Sequence, residues 1–592
     1  MNNLMTRWGK TVNNTNVHPD YPRPRLVRDS YLNLNGEWEY AITKTNNVQQ
    51  YDGTILVPFS PESQLSGVNR ILQPDEFLHY RRYFSLPTHF EKDRVILHFG
   101  AIDQECDVVL NGIRIGTHQG GYLPFSFDVS KAIYSEMVNC LEIRVTDQTE
   151  LSPHARGKQK LHPKGKMDAL FYTPSSGIWK TVWLESVPNT YVTQVNVTPN
   201  FDNSSVTFYI KTNQSSRDAI LKISFDYETL KTIRIPTNQD VTLSLEAFHA
   251  WSPEKPNLYD VNIHCEQDRV ATYFGMRKLS KHKDVNGINR FYLNNKPYFL
   301  NGLLDQGYWP ESLLTPPTDE ALKFDILETK RLGFNTIRKH VKIESERFYY
   351  HCDRLGVLVI QDMPNGGEDI FKPLVMYLPN ISDKLSRNIK DKHYKRFGRG
   401  DEEGRLQYKK DLKEMVTTLY NHPSIAMWVP FNEGWGQFDA NKMSEMVRSL
   451  DSTRFIAETS GWFDQGGGDV YTIHNYLKKL KVKPQTNRVV ALMEYGGYAF
   501  PIENHLPSDI EFGYRKYKSK ADFSNAYRKL WEKQIFSQIA NGLSATIYTQ
   551  TTDIEGEING LYTYDREVLK INAELIQRQN KFLYSIFKSI IC

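Results

Sequence analysis

Two glutamates stand where apolar runs end. Glu433 follows Trp428-Val429-Pro430-Phe431-Asn432 and precedes Gly434-Trp435-Gly436, and Glu494 follows Ala491-Leu492-Met493 and precedes Tyr495-Gly496-Gly497. Either one alone reads most simply as a salt-bridge partner at a strand end. As a pair they suggest chemistry. Two carboxyl groups about 5–5.5 Å apart are what retaining hydrolysis of a glycosidic bond needs, one anionic and attacking, the other holding a proton to donate. Mutual repulsion and partial burial both keep a proton on one member of such a pair. Other polar residues close similar runs: Asp305, Arg338, His340, Asp362, Asn432, Trp462, His474, Thr549 and Gln550.

These ends belong to a repeating pattern. Pro297–Gly302 reads as a short strand, and Thr318 to Leu332 as a helix with Thr318 as N-cap, Asp319 and Glu320 in its first turn and Gly333 just past its end. Phe334–Arg338 is the next strand, Glu344 to Leu355 the next helix, and Val357–Ile360 a wholly apolar strand of the kind buried parallel sheets require. Ser424–Val429, a helix from about Asp439 to Leu450, then Arg454–Ala457, Val470–Ile473, Val489–Met493 and Ser544–Tyr548 continue the series. Eight such βα steps predict a (β/α)8 TIM barrel, whose reacting groups lie at the C-terminal ends of its strands. Strands 4 and 7 of a closed barrel can bring Glu433 and Glu494 together across its mouth.

Upstream, from about residue 30 to 278, the period is two. Arg94–Phe99, Cys106–Leu110, Cys140–Val145, Thr181–Leu184, Ser205–Ile210 and Leu221–Phe225 are short alternating runs broken by Asn35-Gly36, Asn111-Gly112 and Gly120-Gly121. The pattern predicts antiparallel sandwiches. With a break near Ser186-Val187-Pro188-Asn189, the expected organisation is a jelly-roll over 1–187, an immunoglobulin-like sandwich over 188–278 and the barrel over 279–592. A net charge of +4 on 592 residues gives no electrostatic case for a nucleic-acid partner, whereas 12% aromatics suits sandwich cores and rings that stack on sugars. Cys106, Cys140, Cys265, Cys352 and Cys592 are scattered without a CxxC pair, so neither a disulfide framework nor a zinc ribbon is expected. No signal-like h-region opens the chain and no run approaches a membrane span, so a cytoplasmic protein with no membrane partner is expected. No phosphate loop, HExxH or EF-hand motif occurs, and neither a cofactor nor a metal is expected.

The chain resembles glycoside hydrolase family 2, which contains β-galactosidases, β-glucuronidases and β-mannosidases. The resemblance rests on Leu34-Asn35-Gly36-Glu37-Trp38, Gly120–Asp128, Gly177–Glu185, Phe291–Gly302, Gly333–Arg338, Cys352–Val359, Asn421–Trp428 leading into Asn432-Glu433, and Glu494-Tyr495, in order along the chain. It implies Glu433 as general acid/base and Glu494 as nucleophile. Asn432 is suited to a sugar 2-hydroxyl, Arg338 to keeping Glu494 ionised, and Tyr495 to donating to the nucleophile. His340, His474 and Asp305 are candidates for sugar hydroxyls, and Trp435 and Trp462 for stacking platforms.

Two departures bear on the sugar. His340-Val341-Lys342 replaces the family's His-Tyr-Pro, and Asn559-Gly560-Leu561 lacks the lysine of the glucuronidase Asn-x-Lys motif, although Lys342 or another base can substitute. A sugar carboxylate without its cation is poorly paired, so a β-galactosidase-like exo-enzyme on a neutral β-linked sugar is expected, with a β-glucuronidase or other family 2 glycosidase as the alternative. A carbohydrate-binding protein that has lost catalysis is the rival from another class, and transglycosylation a third use of the same residues. The expected partner is a small-molecule or oligosaccharide glycoside, with a homo-oligomer open. The long stretch from about Met363 to Gly404 holds Lys384, Arg387, Lys390, Lys392, Lys395, Arg396 and Arg399 and reads as a solvated insertion, a subunit contact or a lid.

Overall fold

In the computed structural model residues 4–90, 92–161, 169–506 and 510–591 are described. Alternation of buried and exposed residues organises the first sandwich. A four-stranded sheet (Tyr31–Asn33, Val182–Val187, Arg94–Phe99, Phe125–Asp128) faces a six-stranded one (Gly53–Val57, Gly36–Thr43, Phe77–Phe84, Asn139–Thr146, Glu105–Leu110, Ile113–Gln119), every pairing antiparallel. Trp38, Leu78, Leu97, Val108, Leu141 and Ile143 fill the space between them. A second sandwich pairs Val192–Asn200, Ser205–Thr212 and Asp240–Ser244 against Glu228–Pro236, Asp218–Phe225, Tyr259–Cys265 and Asp268–Phe274 over its own core. Buried Arg28 joins the two, donating to Glu185 at 2.9 Å and to Asp268 at 2.8 and 3.0 Å. A buried ion cluster of this kind offsets the cost of desolvating its charges with their mutual contacts, and removing one partner alone would strand the others.

The last part is the barrel. Its strands are β1 (Leu300–Asp305), β2 (Thr336–Lys339), β3 (Leu358–Asp362), β4 (Ile425–Val429), β5 (Phe455–Ile456), β6 (Val470–Asn475), β7 (Val489–Gly496) and β8 (Leu543–Thr549). They pair in parallel in the order β5-β4-β3-β2-β1-β8-β7-β6. The ring closes between β5 and β6 through single bonds, Asp469 N to Ile456 O at 2.7 Å and Thr472 Oγ1 to Thr459 O at 2.9 Å. Leu304, Ile360, Met427, Ala491 and Ile547 fill the interior, with Phe291 of a preceding hairpin.

Helices α1 (Asp319–Arg331), α2 (Glu346–Leu355), α3 (Glu402–Leu419), α4 (Ala440–Leu450), α5 (Lys520–Leu530) and α6 (Ala573–Ile591) surround the strands. Thr318 caps α1 as expected, its side chain accepting from Ala321 N at 3.2 Å. Eight complete βα steps are not found: β5 and β6 are each followed by a loop. After β5, Gly461, Gly466 and Gly468 adopt φ of +88°, +91° and +66°, which a helix cannot contain. After β6, Leu480 and Val482 alternate with lysines and bury themselves against the α5 side, their amides donating to Gln534 and Gln538 at 2.9 Å each. Period-two burial in place of a helical stripe makes this segment an extended cover. Among the described residues no helix is long and apolar enough to cross a membrane.

Candidate active site

The site is organised around Arg338. Its guanidinium is completely buried on β2 and spends nearly every donor. Nε and Nη2 grip Asp362 at the end of β3 (3.1 and 2.8 Å), Nη1 reaches Glu494 Oε1 on β7 at 3.0 Å, and Nη2 donates to Asn432 Oδ1 at 2.7 Å. One planar cation thus ties β2, β3, β7 and the segment after β4 in a fixed geometry. Because the Asn432 oxygen is taken, only its amide N–H groups, one of them toward His340, are left to face a ligand.

Glu494 lies beside His474 in the β6–β7 register. Burial pushes its carboxyl up, but the charges of His474 and Arg338, a hydrogen bond from Tyr476 and the charge of Lys158 outweigh this and hold it below the ordinary carboxylate range. The Tyr476 hydroxyl donates to Glu494 Oε2 at 2.5 Å and lies 3.1 Å from Thr549 Oγ1. Its ring stacks on Tyr514 at 3.6 Å between centroids. Glu494 is therefore a buried, doubly braced anion.

Glu433 is held differently. It and Gly434 adopt φ of +52° and +76°, a left-handed turn that reverses the chain at the barrel mouth. Its side chain keeps 19% exposure, against 7% for Glu494. His474 Nδ1 lies 2.7 Å from Glu433 Oε1 and 3.5 Å from Glu494 Oε2, while its Nε2 is fixed by Ser460 Oγ at 2.8 Å. A carboxylate oxygen of each glutamate and a ring nitrogen of His474 lie within 4.8 Å of one another. These three donors could ligate a metal by spacing alone, but Arg338, at 3.0 Å from Glu494, already occupies the cationic position beside them.

A cavity partly open to solvent has both glutamates in its wall together with Asn432, His340, Trp435, Tyr476, Thr549 and Asn365. His340 Nδ1 pairs with Gln306 Oε1 at 2.8 Å and its Nε2 faces Glu494 at 3.5 Å. Burial, then the positive charges of Lys158, Arg338 and His474, press its pKa far down, so the ring is neutral. Trp435 stacks on Phe171 of the first sandwich at 4.8 Å and forms the rim. Trp462 is tilted at 6.3 Å from His474 and packs with Val375, Phe397 and Phe463, which anchors the 363–404 insertion to the same rim.

Several expectations are corrected. Asp305 does not face the cavity: the β1–β2 register sets it beside Lys339, which donates to it at 2.7 Å, and its other oxygen takes Gly307 N at 2.8 Å. Tyr495 points outward from β7 into the apolar layer of Tyr548, Tyr527 and Trp531, and Tyr476 is the tyrosine that reaches Glu494. Lys342 cannot replace the missing motif lysine, because it is buried on Glu344 and the carbonyls of Gly307 and Leu314 at 2.6–2.7 Å. Gln550 turns away to bond Asn559 at 2.7 Å. In the insertion, Arg387 bonds Thr472 O and Arg399 bonds Gly436 O and Pro153 O, so both serve its anchoring. Lys390, Lys392, Lys395 and Arg396 are exposed, and the side chain of Lys384 and all of Cys592 lie outside the described residues.

Tyr476, Lys158, Glu557 and Tyr514 were not anticipated. Tyr476 was legible in principle, two positions past His474 at the same strand end. Lys158 and Glu557 come from a loop of the first sandwich and a loop after β8, and no local pattern marks them.

Three family models match in order: "Glycosyl hydrolase 2 galactose-binding domain-like" over 69–172, "Glycosyl hydrolases family 2" over 190–277 and "Glycosyl hydrolases family 2, TIM barrel domain" over 284–495, together about two thirds of the chain. A β-galactosidase of Thermoanaerobacter pseudethanolicus is 24% identical over 504 residues, 80% of this chain and 62% of that protein, so the chain spans less than two thirds of that relative's length. A β-D-glucuronidase of Dictyoglomus thermophilum superposes with a TM-score of 0.73 at 18% identity, covering 95% of this chain and 98% of that one. A β-galacturonidase of Eisenbergiella tayi bound to galacturonate superposes with 0.69 at 17% identity, covering 96% and 99%. At these identities the superpositions speak for the fold alone.

Proposed function

Because the chain belongs to glycoside hydrolase family 2, we propose that it is a retaining exo-β-glycosidase acting by double displacement. The observation that carries this is the approach of Glu433 and Glu494 within 4.8 Å across a pocket, with their environments differentiated. Glu494, kept anionic by His474, Arg338 and Tyr476, attacks the anomeric carbon. Glu433, more exposed and backed by His474, gives its proton to the departing glycosidic oxygen. It then takes a proton from the water that frees the glycosyl group from Glu494. Asn432 donates to the sugar 2-hydroxyl, a contact that tightens as charge develops on the ring.

For the sugar, we place a β-linked hexuronic acid first. The two solved relatives named above are a β-glucuronidase and a β-galacturonidase, and the neutral-sugar expectation rested on a missing cation, while Lys158 lines this cavity from elsewhere in the chain. A neutral β-galactoside is the second reading, favoured by Glu557 lying 3.7 Å from Lys158 and by the β-galactosidase relative. The test is a panel of nitrophenyl β-glucuronide, β-galacturonide, β-galactoside, β-glucoside and β-mannoside, with the anomer first released read by NMR. Release of the β-anomer from one of them is expected. An inverted product overturns the double displacement, and a fully inert protein that still binds sugar supports a carbohydrate-binding role.

A further inference from the structure

The pocket wall opposite the barrel is supplied by another domain. Residues 156–160 leave the first sandwich, cross the barrel mouth and are pinned on both sides. The amides of Arg156 and Gly157 both donate to Asn365 O at 2.8 Å, and the Tyr122 hydroxyl donates to Arg156 O at 2.8 Å. Tyr172 N donates to Lys158 O at 2.9 Å. Gln159, buried, donates to Asp103 at 2.7 Å and accepts from Ser175 N at 2.6 Å. A strap fixed at this many points holds one side chain, Lys158, in the cavity that contains Glu433 and Glu494.

The ammonium of Lys158 is not consumed by structure in the way the other pocket cations are. Arg338 is saturated by two carboxylates, an amide oxygen and a carbonyl. Lys158 lies 3.7 Å from Glu557 Oε2, beyond hydrogen-bond reach, and 5.5 Å from the Tyr172 ring centroid. Glu557 is itself satisfied by the Tyr172 hydroxyl and by Asn559 Nδ2 at 3.0 Å. The Lys158 side chain keeps 18% exposure, so its N–H donors can be reached from the cavity.

We propose that Lys158 determines substrate class by receiving the carboxylate of a hexuronic acid, with the first sandwich supplying the cation that the loop after β8 lacks. The inference rests on the hexuronide reading above and names the residue that enforces it. A lysine between two carboxylates has a precedent in this molecule: Lys339 donates to Asp305 at 2.7 Å and to Glu344 at 3.3 Å. Loss of one charge-assisted contact to a substrate anion reduces selectivity on the order of 10–100-fold.

The test compares the unsubstituted 592-residue chain with Lys158→Met and Lys158→Arg on nitrophenyl β-glucuronide and β-galacturonide and on the matching β-glucoside and β-galactoside. Thermal melts establish that each variant folds. The expected result is a uronide preference whose ratio of kcat/KM to the matching neutral glycoside falls on the order of 10–100-fold in Lys158→Met, mainly through KM, and is largely kept in Lys158→Arg. A uronide preference undiminished in Lys158→Met overturns the role of Lys158 and leaves the hexuronide reading standing. An unmodified enzyme that prefers the neutral partner overturns both and leaves the retaining mechanism untouched.

Discussion

Replacing Tyr476 with phenylalanine isolates one contribution to the electrostatics of Glu494, the proposed nucleophile. The substitution deletes a hydroxyl that donates to Glu494 Oε2 at 2.5 Å and leaves the ring free to keep its stack on Tyr514. A hydrogen bond to a charged group contributes about 1.5–3 kcal/mol, and about 1.4 kcal/mol corresponds to a tenfold change in proton affinity. Donation favours the anion, so its loss makes the Glu494 carboxyl easier to protonate. His474, Arg338 and Lys158 remain to oppose protonation. The acid limb of the kcat/KM profile should therefore move upward by about one pH unit. The stability effect has the same sign. A carboxyl whose folded pKa is depressed contributes stability above its unfolded value that is lost as pH falls through the folded value, and in Tyr476→Phe that contribution is smaller and its loss is complete at a higher pH. The assay is kcat/KM against pH with an activated nitrophenyl glycoside, alongside unfolding midpoints at the same pH values. A plateau that falls while the acid limb stays in place would refute the reasoning and assign Tyr476 to orientation alone.

Three further outcomes are expected. Glu433→Ala should lose about 10²–10⁴-fold on substrates with poor leaving groups and far less on activated ones, with added azide yielding a β-glycosyl azide by NMR; equal losses on both would argue against an acid/base role. Tyr495→Phe should leave kcat/KM within about twofold and stability unchanged or slightly raised, since the hydroxyl sits in the apolar outer layer; a large catalytic loss would place Tyr495 back in the site. Gly434→Ala should cost roughly 1–3 kcal/mol or more and most of the activity, because φ is +76° and an added Cβ would stand 2.5 Å from Phe463; a melt and a kcat measurement matching the unsubstituted enzyme would contradict the strained turn.

The barrel and the convergence of Glu433 and Glu494 were readable because strands buried on both sides are written as unbroken apolar runs, and a charged residue at the end of one is conspicuous. The β7 run Val489–Gly496 is buried throughout, and Glu494 interrupts it. The errors have physical origins. Along a strand, neighbours point to opposite faces, and Ala491 and Met493 face the interior, but a register irregularity between Leu492 and Tyr495 breaks the alternation, so Glu494 also faces the interior and Tyr495 the helices. Alternation, with Leu304 inside, sends Asp305 outward to Lys339. The two missing helices were inferred from the regularity of the other steps, although glycines after β5 and the alternation around Leu480 and Val482 argued against them locally. Lys158 was illegible for a different reason: its place in the cavity depends on how one domain lies on another, and neither period nor motif encodes that.

That arrangement restricts how the chain can be cut and recombined. Asn365 of the barrel holds the Arg156 and Gly157 amides, and Tyr172 of the sandwich bonds Glu557 of the barrel. The cavity that holds Glu433 and Glu494 is therefore a seam with one face sewn from each side. A barrel excised as a minimal unit would carry both acids without the sandwich side of the cavity wall. Grafting a foreign sandwich onto this barrel would exchange that side, making the seam the natural place to shuffle parts when a new sugar is wanted.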